Sequence, residues 1–122
     1  MADTHLNIDV LSALEDVMED EYPTLLETFI ADSEERLCVL RKAENAAQLI
    51  EAAHSFKGSS SNMGATRLAE LCGDLEQRAK QKNLVGIEEL VGEIDSEFAF
   101  VRPLYEAERQ RSSLTKATIR HF

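Results

Sequence analysis

The chain has no tryptophan, two cysteines, two prolines and five glycines among its 122 residues, and it carries few basic side chains, 13 Lys and Arg against 23 Asp and Glu. The resulting net charge of -10 argues against nucleic acid or an anionic membrane as the main partner. Cys38 and Cys72 lie far apart with no CxxC pairing, so they read as two reduced, partly buried thiols. No apolar run approaches the ~20 residues of a membrane span, and no basic-then-apolar signal opens the chain, so a cytoplasmic protein with no membrane attachment is expected. No period-two alternation bounded by turn residues is present, which leaves no candidate strands, and neither an internal repeat nor a low-complexity tract appears. There is no glycine-rich phosphate loop, no kinase signature and no acidic cluster that plainly holds Mg²⁺. A chain of this length supports one core and leaves no room for a kinase or ATPase domain besides.

What is present is helical throughout. Ile8, Leu11, Leu14, Val17 and Met18 recur at helical spacing behind a possible Asp9 cap, which predicts a short first helix ending near Asp20. Pro23 suits the first turn of a second helix, which the acidic run Glu19-Asp20-Glu21 favours through the helix dipole. Its buried stripe is Leu26, Phe29, Ile30, Ser33, Leu37 and Leu40. Asn45 can cap a third helix with Leu49, Ala53, Phe56, Ser60 and Met63 on one side, ended by Gly64. Thr66 can cap a fourth, with Leu68, Leu71, Cys72, Leu75 and Ala79 facing in. A last pattern runs from Val85 through Leu104, where Pro103 should kink or stop it. These elements predict an all-α fold, an antiparallel four-helix bundle with an additional short N-terminal helix, as one domain over residues 1–106. Residues 107–122 form a polar, basic tail that either extends the last helix or stays disordered.

Within this pattern one stretch is unusual. His54 is followed three and four residues later by Lys57 and Gly58, so an imidazole, an ammonium and a missing side chain share one helical face. A lone histidine on a polar face is ordinarily just solvated, and a lysine one turn away is common. The glycine is harder to pass over, because inside a helix it costs roughly 1 kcal/mol relative to alanine. Helical side chains lean toward the N-terminus, so a side chain at position 58 would lie over the His54 ring, and glycine leaves the ring open. The stripe Leu49, Ala53, Phe56, Ser60 and Met63 falls on the side away from His54, which predicts a solvent-facing histidine held from behind. The charge is also uneven. Residues 54–82 carry five Lys and Arg against three acids, whereas residues 1–53 carry 13 acids against three bases, so the histidine sits in a basic island.

The segment AHSFKGSSSNMGATRLAELCGDLE resembles the signature of histidine-containing phosphotransfer (HPt) domains, with the histidine, lysine, glycine and later Gly64 at the family spacing and an L-E pair closing the next helix. The likeness is close from His54 to Glu76, looser in the acidic helix before it, and greatest to the standalone bacterial type; the start at Met1 and the additional tail favour an independent chain over a piece of a hybrid kinase. The resemblance implies that His54 accepts a phosphoryl group from the aspartyl phosphate of a sensor kinase's receiver domain and passes it to the aspartate of a response regulator. Lys57 would offset phosphoryl charge and Gly58 would give steric access. It implies a phosphocarrier rather than an enzyme, with no nucleotide site, no autokinase activity and no cofactor of its own, Mg²⁺ being expected in the partner receiver. A monomer is expected. Ile50, Glu51 and Ser61 around the histidine, and Met18 as an exposed residue of the first helix, are candidates for partner contact. Two other classes stay open: a bundle metal site pairing His54 with Cys72, and a plain interaction module built on the face around Ile50 and His54.

Overall fold

The computed structural model describes residues 5–120, and of residues 115–120 the backbone alone. Asn7, rather than Asp9, starts the first helix, its side-chain oxygen accepting from the backbone N–H groups of Asp9 and Val10. Helix α1 spans Ile8–Met18, a 3-10 turn follows at Glu19–Glu21, and α2 spans Tyr22–Lys42 with Pro23 in its first turn. Then come α3 over Ala46–Asn62, α4 over Thr66–Lys80 and α5 over Ile87–Arg120. Asn45 caps α3 by accepting from the Gln48 N–H, as its place in the sequence predicts. Thr66 does not cap α4. Ala65 holds that position with no side-chain bond, and Thr66 is already the first helical residue.

Short connections force α2, α3, α4 and α5 to run antiparallel to their sequence neighbours, and α5 returns to pack against both α4 and α2. The apolar stripes meet in the middle. Leu26, Phe56, Leu68, Leu75, Ile94 and Val101 are wholly buried there, each contributing about 1.5–3 kcal/mol of hydrophobic stabilisation. Ser60 is also wholly buried, a small side chain that keeps the back of α3 close to its neighbours.

Helix α1 lies across one end. Leu6 and Leu11 are buried beneath it, and the Asn7 N–H donates to the Gly64 carbonyl at 2.7 Å. Gly64 has φ +76, and a Cβ there would lie 2.9 Å from the Asn7 carbonyl oxygen. Glycine is therefore required twice at this joint, for the left-handed backbone and for the close approach of α1.

Of the two outcomes expected of Pro103, a kink or a stop, the stop does not occur: Pro103 lies inside α5. Residues 99 and 103 are both exposed, so the carbonyl that loses its helical partner faces water, while buried Val101 and Tyr105 hold the chain on the inner side. Tyr105 also donates to the Met63 carbonyl at 2.6 Å, tying α5 to the end of α3. The helix thus continues across residue 106. Arg111 bonds Glu108 and reaches Glu15 of α1 at 2.8 Å, and Ser112 is buried. Residues 121–122 of the predicted tail lie outside the described residues.

Candidate functional site

His54 sits in the middle of α3 on the face opposite Ala53 and Phe56, which are wholly buried, and its side chain is 72% exposed. Its Nδ1 lies 2.9 Å from Oε2 of Glu76, a residue of α4 whose side chain is only 7% exposed. A carboxylate can only accept, so Nδ1 carries the hydrogen and the free lone pair falls on Nε2. No described residue partners Nε2.

Glu76 gathers two further cations. Lys57 Nζ of α3 stands 3.6 Å from Oε1 and Lys80 Nζ, one turn further along α4, 3.1 Å from Oε2. Burial alone would raise the Glu76 carboxyl, but the hydrogen bonds from Lys80 and His54, and their charge, outweigh it and hold the group below the usual carboxylate range. Glu76 is therefore an anion at neutral pH, and it fixes the ring from behind. The lysine stem is guided as well, since a Cβ at Gly73 of α4 would stand 3.3 Å from Lys57 Cδ.

Gly58 shows the opposite environment. A Cβ built there meets nothing within 4 Å, so no packing inside the chain calls for glycine. The opening beside the ring faces outward.

The candidate contact residues divide. Glu51 and Ser61 are exposed, and Ser61 lines a groove with Lys57, Asn7, Val10 and Glu70 where α1 passes the end of α3. Ile50 is half-buried against the core. Met18 is a correction: it too is half-buried and packs on the core rather than standing exposed, whereas Ile8 and Val17 are the apolar side chains that α1 turns to solvent. The metal pairing of His54 with Cys72 is not assembled. Cys72 is fully buried, its thiol pushed up to about 12 by burial, and His54 turns to Glu76 instead. Cys38 and Cys72 are both free thiols.

Glu76, Lys80 and Gly73 escaped the reading of the sequence as site residues. One signal was available for Glu76: it stands four residues after Cys72 and three before Ala79, in register with the buried stripe, and a carboxylate there needs a partner.

A helical bundle that presents one imidazole, aimed by a buried carboxylate and flanked by two lysines and a bare glycine, is the architecture of a histidine phosphotransfer module. The Hpt domain family model matches residues 24–102, and the chain belongs to that family. Its role is that of a histidine phosphotransfer relay in two-component signalling, and such proteins are phosphoryl carriers rather than enzymes in the usual sense. Among solved structures, the crystal structure of histidine-containing phosphotransfer protein B (HptB) from Pseudomonas aeruginosa PAO1 is similar, with a TM-score of 0.87 and 50% sequence identity over 90% of this chain and 98% of that one. No curated protein gives a significant match. Among the described residues, no helix is long and apolar enough to cross a membrane.

Proposed function

We propose that His54 Nε2 is the atom that carries the phosphoryl group between two receiver domains, one belonging to a sensor kinase and the other to a response regulator. The observation that supports this most directly is the split of the ring: Nδ1 is held by Glu76 at 2.9 Å while Nε2 has no hydrogen-bond partner among the described residues. Phosphoryl transfer depends mainly on alignment and on neutralising charge along the line of attack. Glu76 aligns the lone pair. Lys57 and Lys80 supply positive charge beside it, and the empty space over Gly58 lets a receiver bring its aspartate within reach of the ring.

The chain contributes no nucleotide chemistry in this reading, and we expect no label on it after incubation with ATP alone. Any Mg²⁺ is the receiver's. Among the described residues no group of three or more His, Cys, Asp or Glu side chains is placed to hold a metal ion. Ile50, Glu51 and Ser61 are proposed to border the docked receiver, and the protein is proposed to act as a cytoplasmic monomer. The test is to mix the protein with a phosphorylated receiver and follow acid-labile phosphate. Wild type takes up the label and His54→Gln takes up none while keeping its helical circular dichroism; label that still appears on the variant would sink the assignment.

A further inference from the structure

Glu76 has a second consequence that rests on the relay reading of His54. When Nε2 attacks the phosphorus of a receiver's aspartyl phosphate, the Nε2–P bond forms and the P–O bond breaks, the electron pair leaving on the aspartate. The ring started neutral with hydrogen on Nδ1, so it ends as a phosphorylated imidazolium. In an isolated phosphoimidazole that Nδ1 hydrogen is acidic enough to be lost in mildly alkaline water. The neutral ring that results is a poor leaving group, because breaking its N–P bond would release an imidazolate.

We propose that Glu76 keeps Nδ1 of His54 protonated through the whole relay cycle, so that the phosphorylated ring persists as the imidazolium that releases its phosphoryl group readily. Onward transfer then breaks the Nε2–P bond, returns the pair to Nε2 and restores the neutral ring with the same hydrogen still on Nδ1. No proton enters or leaves at either step. The relay is thereby reversible and insensitive to pH across the range in which a free phosphoimidazole changes charge.

The geometry supports this at each neighbour. Nδ1 and Glu76 Oε2 are 2.9 Å apart with the carboxylate buried, so water does not compete freely for the bond. Lys80 on α4 helps hold Glu76 anionic, Lys57 on α3 stands 3.6 Å from its other oxygen, and neither lysine hydrogen-bonds the ring. On the α2 side the Arg36 Nε donates to Ser55 Oγ at 2.8 Å. Glu76 acts through the ring and never meets the phosphorus, so it is a positioning residue.

Phosphoramidate phosphorylates imidazole nitrogen without a protein donor, which allows the test to run apart from any partner. In ¹⁵N NMR of the phosphorylated wild type, Nδ1 should keep its hydrogen to a pH at least one unit above that of a short phosphohistidine peptide. In Glu76→Gln the titration should fall back toward the peptide. A one-unit shift makes the imidazolium about tenfold more populated above both midpoints, so at pH 8.5 the variant should lose phosphate several-fold more slowly than wild type. A wild-type ring that titrates with the peptide overturns the proposal whatever the variant does, as does a phosphoryl group found on Nδ1. Failure of the relay itself reads differently: phosphoramidate would label His54 with a shifted titration, yet a phosphorylated receiver would transfer nothing.

Discussion

Gly58 separates two explanations that the sequence alone leaves joined. A mid-helix glycine can serve packing or access, and the empty space around its position shows that packing inside the chain does not need it. Gly58→Ala should therefore raise stability by up to about 1 kcal/mol, the ordinary helix preference, measurable as a higher urea midpoint. Gly58→Gln should keep the fold and slow transfer from a phosphorylated receiver by an order of magnitude or more, because a long side chain leaning toward the N-terminus covers the ring. Unchanged transfer rates would defeat the access argument. The histidine, lysine and glycine were legible because they share one helix, where spacing fixes a face. Glu76, Lys80 and Gly73 were not, because they belong to α4, where Glu76 meets the ring, Lys80 meets Glu76 and Gly73 faces the Lys57 stem, and no spacing within a single helix says which residue of the next one will lie opposite.

At the scale of elements, the buried stripes of α2, α3 and α4 came through intact because apolar period is a property of the segment itself. The junctions did not. Asn7 took the cap expected of Asp9, since several polar residues near a helix start can cap it and tertiary contacts choose among them, and α4 starts at Thr66 with no side-chain cap. That Pro103 does not stop α5 has a related reason: the cost of proline depends on whether the freed carbonyl meets water, which is a matter of where α5 sits. The joint at Gly64 carries the clearest prediction. Gly64→Ala forces a side chain into left-handed backbone and against the Asn7 carbonyl at 2.9 Å, and should cost about 2 kcal/mol or more. Because the contact is with the start of α1, hydrogen exchange should rise first at residues 7–11, ahead of the bundle; uniform loosening would count against this placement.

For the whole molecule, two of the carboxylates that join separate helices are held below their ordinary range. Glu76 links α4 to α3, its burial outweighed by Lys80 and His54. Glu108 of α5 is lowered first by the hydrogen bond from Arg111, against the raising effect of burial, and then by Tyr22 at the start of α2. A group whose folded value is depressed stabilises the fold above its unfolded value and loses that contribution as pH falls through the folded one. Stability should therefore be flat near neutrality and decline below about pH 4.3, the unfolded glutamate range, as urea midpoints at pH 7 and pH 3 would show. Glu76→Gln should flatten part of that decline, and an equally steep curve in the variant would remove Glu76 from the account.

The space over Gly58 bears finally on choice of partner. A hydrogen in place of a side chain offers no charge, no donor and no shape that one acidic pocket could prefer to another, so the centre of the docking face is blind to identity. In the proposed relay, discrimination falls to the border of that face, where Glu51 and Ser61 stand exposed. Exchanging those border residues would redirect the traffic of phosphate while the chemistry at the ring stayed the same.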